Sequence, residues 1–353
     1  MSRRLRVMQA FKAPRATTNP YIVMLDEALG SADGLEHLRF SWGSAIFGRY
    51  DAIHFHWPEA KFGGASRLRA MGKRFLFAAL LARLTCSRVA IVRTMHNIEL
   101  PQGMPRCELA MIRRLDRLTT LRIALNPTTP IPADAASETI LHGHYRDWYA
   151  SYPQPPALQG RLGYVGLIRR YKGVELLLQA FAEARASDDA LSLSVSGKPS
   201  STELTATITE LAGAGVELDL RFLSDAELVA AVSRSELVVL PYRFMHNSGG
   251  TLAALSLDRP VLIPENDTNR ALSAEVGAGW VHQYAGDLDG ATLRRTMDEV
   301  RRLARADRPD LSARDWDAVG AQHVRAFRRA VAIRRGRSYT GSARSVAPVR
   351  KQA

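Results

Sequence analysis

The chain has little cysteine, few aromatic residues and no long apolar run. Its two cysteines, Cys86 and Cys107, make a disulfide framework unfavourable and suit a reducing compartment. The best apolar run, at residues 75–82, is too short to span a bilayer. The first residues lack the apolar segment of a secretory signal. We therefore expect a cytoplasmic globular protein, and 353 residues are enough for two domains.

Acidic residues are outnumbered, and unevenly so. Residues 1–150 carry 21 Lys and Arg against 12 Asp and Glu, and residues 331–353 carry six against none. Residues 151–330 carry 21 against 23. This distribution predicts an anionic partner, which could be acidic lipid, a phosphorylated substrate or nucleic acid. The alternative is that the basic composition has no function. The aromatic residues are few and do not alternate with the basic runs, so we expect no nucleic acid.

Short apolar runs alternate with helical patterns along the chain. Strand–helix alternation is typical of an α/β protein, a parallel sheet with helices on both faces. A proline-rich stretch at residues 152–156 interrupts the pattern, which then restarts. The sequence predicts a first Rossmann-like domain at 1–150 and a second at 151–310. A terminal helix at 311–335 and a basic, disordered tail at 336–353 complete the prediction.

Small and polar residues begin the helix predicted at 247–257. A helix N-terminus leaves amide groups unpaired and carries partial positive charge, which suits a phosphate. Gly249 and Gly250 bring no Cβ to obstruct an oxyanion, and Ser248 and Thr251 add hydroxyl donors beside Asn247. The alternative to a phosphate site is that Asn247 or Ser248 only caps the helix and no ligand binds there. Two glycines in a first turn cost about 1 kcal/mol each relative to alanine, which favours a ligand.

A second loop in the same half carries cations after a predicted strand. Gly166 begins it, and Arg169 and Lys172 are three residues apart. Both loops are expected at the carboxyl ends of parallel strands, where ligands of such sheets bind. Two cations without a ligand are the alternative. Together the two loops favour a diphosphate.

Three stretches of this half resemble the GT-B glycosyltransferases. They are GLIRRYKGVELLLQAF at 166–181, LSDAELVAAVSRSELVVLPY at 223–242 and TLAALSLDRPVLIP at 251–264. The resemblance implies two Rossmann-like domains facing across a cleft, with the C-terminal helix packed back on the first. It implies an enzyme that binds a nucleotide-sugar as donor and needs no cofactor.

The chain departs from the large retaining group of that superfamily. The two glutamates of that group, eight positions apart, fall on Met245 and Ala253. Among relatives without the pair, the chain resembles bacterial exopolysaccharide beta-1,4-mannosyltransferases, through NPYI at 19–22, HFHWPE at 54–59 and HGHYRDWY at 142–149. That implies an inverting transfer of mannose from GDP-mannose to a lipid-linked saccharide. A nucleotide-sugar epimerase or phosphorylase on the same fold is the alternative.

An inverting transfer needs a base for the acceptor hydroxyl, and two side chains at predicted strand ends are candidates. Glu59 follows the strand that contains His54 and His56, and His96 ends another. Function concentrates at such strand ends in this architecture. His54 is interpreted as a core residue. Zinc binding is disfavoured because only two histidines have ligand spacing, so no metal is expected.

Other residues are predicted to lie in the cleft or to bind the acceptor, with interdomain packing as the alternative for the histidine-rich segment. They are Asn19, Tyr21, His56, His142, His144 and Tyr145. The helix predicted across residues 66–77 mixes cations with large apolar residues. It is predicted either to lie on an anionic membrane surface or simply to cover the sheet. A lipid-linked acceptor would require membrane docking.

Overall fold

The computed structural model describes residues 3–15, 18–63, 66–97, 100 and 103–337. The strands are β1 Leu5–Gln9, β2 Leu35–Arg39, β3 Ala52–Phe55, β4 Ala90–Met95, β5 Leu121–Ala124, β6 Ser137–Thr139, β7 Arg161–Val165, β8 Ser192–Ser196, β9 Val216–Asp219, β10 Leu237–Val239, β11 Val261–Pro264 and β12 Val281–Tyr284. The helices are α1 Pro20–Ser31, α2 Trp42–Phe47, α3 Arg67–Cys86, α4 Arg106–Leu118, α5 Arg146–Tyr149, α6 Val174–Arg185, α7 Thr202–Leu211, α8 Asp225–Ser233, α9 Gly249–Ser256, α10 Asp267–Val276, α11 Gly290–Arg302 and α12 Trp316–Arg334.

The strands form two six-stranded sheets, each parallel throughout. The first has the order β2-β1-β3-β4-β5-β6 and the second β12-β11-β10-β7-β8-β9. We call each sheet with its covering helices a lobe. The second lobe has the order of a dinucleotide-binding domain, which reverses between β7 and β10. Two parallel sheets with helices confirm the predicted fold class.

Helix α12 returns from the second lobe to pack on the first, as predicted. It contacts α1, β3, β4 and β5, and His323 and Phe327 on its inner face are fully buried. A methyl group on Gly320 would lie 2.9 Å from the backbone oxygen of Ala28, so glycine lets α12 approach α1 closely. The helix begins at Trp316, later than the predicted 311, after a short turn at Ser312–Arg314.

Four strands, β2, β5, β6 and β12, were not predicted. β2 and β6, at the edges of the first sheet, are rich in polar residues and only partly buried. β5 and β12 are mostly buried, but polar residues interrupt their apolar runs. The limits set at residues 150 and 310 stay a prediction. Most of the predicted tail, residues 338–353, lies outside the described residues. In the part of the chain that the structure describes, no helix has the length and apolarity to cross a membrane.

Candidate functional site

The two loops predicted to bind a diphosphate meet at the point where the strand order of the second lobe reverses. Strands β7 and β10 are neighbours, with Gly163 paired to Val238. The backbone N–H of Arg243, after β10, donates to the carbonyl of Tyr171, after β7, over 2.8 Å. Ligands of open parallel sheets bind in the crevice at such a reversal. The loops at 166–173 and 241–251 therefore share one crevice.

Lys172 is half-buried in this crevice. Its ammonium lies 4.8 Å from the ring centroid of Tyr242. Burial, followed by repulsion from Arg169, lowers the pKa of Lys172 to about 8. Arg169 itself is exposed at the margin. Gly173 has φ +66°, and a methyl group there would lie 2.2 Å from the oxygen of Pro241, so only glycine lets the loop pass so close to β10.

The N-terminus of α9 forms the opposite wall. Ser248 is its N-cap, and the Ser248 hydroxyl oxygen accepts from the N–H of Thr251 over 3.1 Å. A methyl group on Gly250 would lie 3.3 Å from the hydroxyl of Tyr242, which joins this wall to the Lys172 side. The first N–H groups of a helix have no partner within it. Thr251 is buried, and its hydroxyl has no hydrogen-bond partner among the described residues, so its role as a donor stays a prediction.

Asn247 connects the two lobes. Its Nδ2 donates to the backbone oxygen of His96 over 3.0 Å. Its Oδ1 accepts from Nδ2 of Asn126 over 2.7 Å. The residue before the α9 N-cap is thus bonded to the carboxyl ends of β4 and β5 in the first lobe. The candidate base and the candidate diphosphate site lie next to each other.

His96 is surrounded by rings. Its Nε2 lies 3.0 Å from Nδ1 of His56, and its ring stacks on Trp57 with centroids 3.9 Å apart. The ring edge of Tyr21 is also near, with centroids 5.2 Å apart. Burial, followed by repulsion from His56 and His142, lowers the pKa of His96 well below its usual 6.5. The imidazole is therefore neutral at physiological pH, the form that accepts a proton.

Glu59 lies on the short turn Pro58–Lys61 that follows β3. It is half-buried. Burial raises the pKa of its carboxyl, and the charge of Arg93 opposes that effect. Both candidate bases thus follow neighbouring strands, and of the two His96 has the bonded link to the crevice of the second lobe.

The segment 142–145 touches both lobes. The ring centroid of His142 lies 4.5 Å from that of Tyr21. The backbone N–H of Tyr145 donates to the hydroxyl of Ser256 in α9 over 2.9 Å. A methyl group on Gly249 would lie 3.3 Å from the Tyr145 hydroxyl. His142 and Tyr145 therefore lie beside the crevice.

His144 lies elsewhere, in the junction with α12. Its Nε2 is 2.8 Å from Oδ1 of Asp315, and its backbone oxygen accepts from Nε1 of Trp316 over 2.7 Å. His144 is therefore buried against the start of α12, and its predicted place in the cleft stays a prediction.

Asn19 and Tyr21 begin α1. The Asn19 side chain accepts from the N–H of Tyr21 over 3.0 Å, which makes Asn19 the cap of the helix. Tyr21 is buried, and its hydroxyl has no hydrogen-bond partner among the described residues. The structure thus gathers Tyr21, His56, His96, His142 and Tyr145 at one end of the first sheet.

Sequence reasoning missed the residues that hold the lobes together. The side chain of Thr129 lies 3.0 Å from Nε2 of His246, and Asn126 also contacts the 246–247 stretch. Asn126 comes two residues after β5, so the strand-end rule used for the histidines could have found it.

Within the described residues, no group of three His, Cys, Asp or Glu is placed to hold a metal ion. The positions that carry glutamates in the retaining group do not provide a carboxylate here. Met245 has its sulfur 3.3 Å from Nδ2 of Asn269, and Ala253 is buried in α9.

Comparison with known proteins agrees with the resemblance to GT-B glycosyltransferases that the sequence shows. The family model for glycosyl transferases group 1 matches residues 159–283. The catalytic domain of starch synthase IV from Arabidopsis thaliana has a TM-score of 0.62 at 11% identity, covering 94% of this chain and all of that one. Sucrose-phosphate synthase from Thermosynechococcus elongatus has a TM-score of 0.56 at 13% identity, covering 94% and 98%. The fold is GT-B, and the chain is a glycosyltransferase.

A more similar sequence narrows the class. The GDP-mannose:glycolipid 4-beta-D-mannosyltransferase of Xanthomonas campestris pv. campestris is 42% identical over 327 residues, 92% of each chain. A second protein of that name, from another strain, is 41% identical over the same share. The chain belongs to the family of these mannosyltransferases. The glycosyltransferase interpretation is thereby confirmed over an epimerase or phosphorylase.

Proposed function

We propose that this enzyme transfers mannose from GDP-mannose to the saccharide of a lipid-linked acceptor, with inversion and without a metal ion. The donor and acceptor follow the printed name of the Xanthomonas relatives. A β product from an α-linked donor requires inversion, which is a single displacement. The observation that carries the mechanism is the Asn247 bridge, which holds His96 beside the N-terminus of α9.

The departing GDP is bound by the second lobe in this proposal. The N-terminus of α9 faces the diphosphate with the amides of Gly249 and Gly250 and the Ser248 hydroxyl. Lys172 and Arg169 supply positive charge from the neighbouring loop. As the bond to mannose breaks, negative charge grows on the diphosphate, and donors fixed in advance stabilise that charge most. This arrangement replaces the role that a metal ion has in other enzymes.

His96 is the proposed base. Its low pKa leaves it neutral, and its ring is held by Trp57 and His56. It takes the proton of the acceptor hydroxyl as that oxygen attacks the anomeric carbon. Glu59 is the alternative base. Tyr21, Asn19, His142 and Tyr145 shape the acceptor side, and closure of the lobes excludes water.

A face of the first lobe is suited to an anionic membrane. Leu68, Met71 and Phe75 form one exposed stripe of α3, with 77%, 61% and 75% of their surface accessible, and Phe47 at the end of α2 is 86% exposed. Arg67 and Arg69 beside the stripe are also exposed. Apolar side chains with flanking cations bind the interface of anionic lipids. We place the enzyme on the inner face of the plasma membrane, in the cytoplasm.

The transfer is tested by incubating the protein with GDP-mannose labelled in the sugar and a lipid-linked saccharide fraction, in the presence of EDTA. His96→Ala should lower kcat by about 10²- to 10⁴-fold, the usual contribution of a general base, with little change in KM for GDP-mannose. His282→Gln, in β12 of the second lobe, is the control. Activity in His96→Ala equal to that of the control would exclude His96, and a collapse in Glu59→Gln alone would assign the base to Glu59.

Membrane docking is tested by sedimentation with vesicles. Leu68→Ser combined with Phe75→Ser should reduce binding to phosphatidylglycerol vesicles, and binding to phosphatidylcholine should be weak for all variants. Phe222→Ser is the matched control, since Phe222 is 69% exposed on the second lobe. Equal binding by the double variant and the control would refute the proposed face.

A further inference from the structure

Two histidines of the first lobe share a hydrogen bond, and one of them is the proposed base. Nδ1 of His56 lies 3.0 Å from Nε2 of His96. Because two neutral imidazoles at this distance need one proton between them, either ring can be the donor. The bond engages Nε2 of His96, so Nδ1 is the nitrogen left to take the proton of the acceptor hydroxyl.

The two arrangements of this bond differ in what His96 can do. When His96 donates from Nε2, its Nδ1 is bare and can accept a proton. When His56 donates from Nδ1, the neutral His96 carries its proton on Nδ1 and cannot accept another there. A shift of one proton between the two rings therefore changes whether His96 can act as a base.

The second ring nitrogen of His56 is placed to exchange a proton. His56 is only 5% exposed, and its Nε2 is buried and has no hydrogen-bond partner among the described residues. Buried polar atoms in folded proteins are nearly always hydrogen-bonded, so an exception of this kind needs an explanation.

The neighbouring ring of His54 gives the contrast. The ring centroids of His54 and His56 are 4.2 Å apart. Nδ1 of His54 lies 2.9 Å from Oε1 of Gln9, and its Nε2 lies 2.8 Å from Oγ1 of Thr94. His54 is therefore bonded at both ends, whereas His56 is bonded at one end, to the proposed base, within the described part of the chain.

A cavity of about 310 Å³ lies beside His56, between the chain after β1 and the turn Pro58–Lys61. A cavity of this size with polar walls has room for water. Burial, followed by repulsion from His323 and Lys61, lowers the pKa of His56 to about 3. A proton that reaches this ring is therefore passed on and does not stay there.

We propose that His56 relays the proton that His96 takes from the acceptor hydroxyl. The proposal rests on the proposed function, which makes His96 the base. As the hydroxyl oxygen attacks the anomeric carbon, its O–H bond breaks and the proton binds Nδ1 of His96, while the bond from that carbon to the diphosphate breaks with its electron pair on GDP. The proton on Nε2 of His96 moves to Nδ1 of His56, and the proton on Nε2 of His56 leaves to water in the cavity.

The shift is concerted, because burial disfavours a second proton on either ring. Each ring then carries its proton on Nδ1. When the cleft opens, one proton enters at Nε2 of His56, one returns to Nε2 of His96 and one leaves from Nδ1 of His96, which restores the starting arrangement. His56 acts through His96 and touches neither substrate, so it is a positioning residue.

His56→Asn separates the relay from the hydrogen bond. The asparagine oxygen accepts from Nε2 of His96 but passes no proton on. The variant should lower kcat by about 10- to 100-fold, a part of the usual contribution of a general base, with KM for GDP-mannose little changed. His54→Asn, in the adjacent ring of the same layer, is the matched control. Equal kcat in the two variants would overturn the relay, even if His96→Ala were inactive.

Two further measurements respond to a relay and not to lost packing. Imidazole should restore kcat to His56→Ala, whereas pyrrole, a ring of the same size without an accepting nitrogen, should not. In single turnover, the rate of the unaltered chain should depend on the deuterium content of the solvent as expected for more than one moving proton, and that of His56→Asn as for one. Rescue by pyrrole, or a one-proton dependence in the unaltered chain, would overturn the proposal.

Nitrogen NMR of the chain labelled with ¹⁵N-histidine tests the shared proton without turnover. In the unaltered protein the signals of His56 and His96 should exchange between protonated and bare nitrogen, and His56→Asn should fix the proton of His96 on Nε2. A single fixed arrangement in the unaltered chain would overturn the relay. A protein that shows the exchange but transfers no mannose would refute the proposed function and leave the shared proton standing.

Discussion

Three fully buried histidines in the first lobe should make the protein acid-labile. His54, His56 and His323 are 0%, 5% and 0% exposed. Burial is the main cause that lowers the pKa of His56 to about 3 and of His323 to about 4, and it holds that of His54 well below 6.5. In the unfolded chain each has a pKa near 6.5. Below that pH the unfolded state binds more protons, so stability falls as pH falls.

The magnitude depends mainly on the unfolded state. Between pH 7.5 and 5.5 a folded histidine with a pKa near or below 4 stays neutral, whereas the unfolded one becomes mostly protonated. His56 and His323 therefore each cost about 1.4 kcal/mol by pH 5.5, about 3 kcal/mol together, and His54 acts in the same direction. That is a large share of the 5–15 kcal/mol typical of a folded protein.

The assay is urea unfolding at the two pH values, with His323→Leu beside the unaltered chain. His323 donates through Nδ1 to the backbone oxygen of Val319 over 2.8 Å, and its Nε2 has no partner among the described residues. The variant should lose about 1.4 kcal/mol less than the unaltered chain over this range. Phe77→Leu, a buried change in α3 whose ring neighbours are Phe55 and Phe62, should lower stability equally at both pH values. Identical pH dependence in His323→Leu and the unaltered chain would refute the reasoning.

Three further predictions concern the crevice. The kcat/KM for the donor should fall as pH rises through about 8, because Lys172 loses its proton there. Lys172→Arg should move this basic limb of the pH profile well above pH 9, and a limb that stayed in place would show that another group titrates. Gly173→Ala should destabilise the protein by about 1–3 kcal/mol or more, because alanine is strained at φ +66° and its Cβ would collide with Pro241. Gly213→Ala is the control, since a Cβ there meets open space. Equal urea midpoints for the two variants would contradict this prediction. Asn247→Ala should lower kcat about tenfold, because it removes hydrogen bonding worth about 1 kcal/mol or more between the lobes. An unchanged kcat would show that Asn247 does not position His96.

The fold could be predicted because its central strands carry strong signals. Leu237–Val239 and Val261–Pro264 lie inside the second sheet, covered on both faces, and so read as continuous apolar runs. Edge strands such as Leu35–Arg39 lack that pattern and were missed. Leu121–Ala124 was also missed although it lies inside the first sheet and is mostly buried, because Arg122 interrupts its short apolar run.

The site could be predicted only within each lobe. Strand ends pointed separately to His96 and to the Ser248 turn, but not to their contact. Asn247 and His96 are 151 residues apart, and their bond depends on how the lobes are placed.

The acid lability and the proposed chemistry have one cause. His96 remains neutral because it is buried beside His56, which is itself neutral because α12 and α1 exclude water from the layer that contains His54 and His323. Opening that layer to water would raise the pKa values of the whole group toward 6.5. His96 would then be partly protonated near neutral pH and a poorer acceptor for the proton of the attacking hydroxyl. A substitution under α12 that admits water should therefore shift the acidic limb of the kcat–pH profile to higher pH. It should also lessen the acid destabilisation, because both effects follow from the same burial.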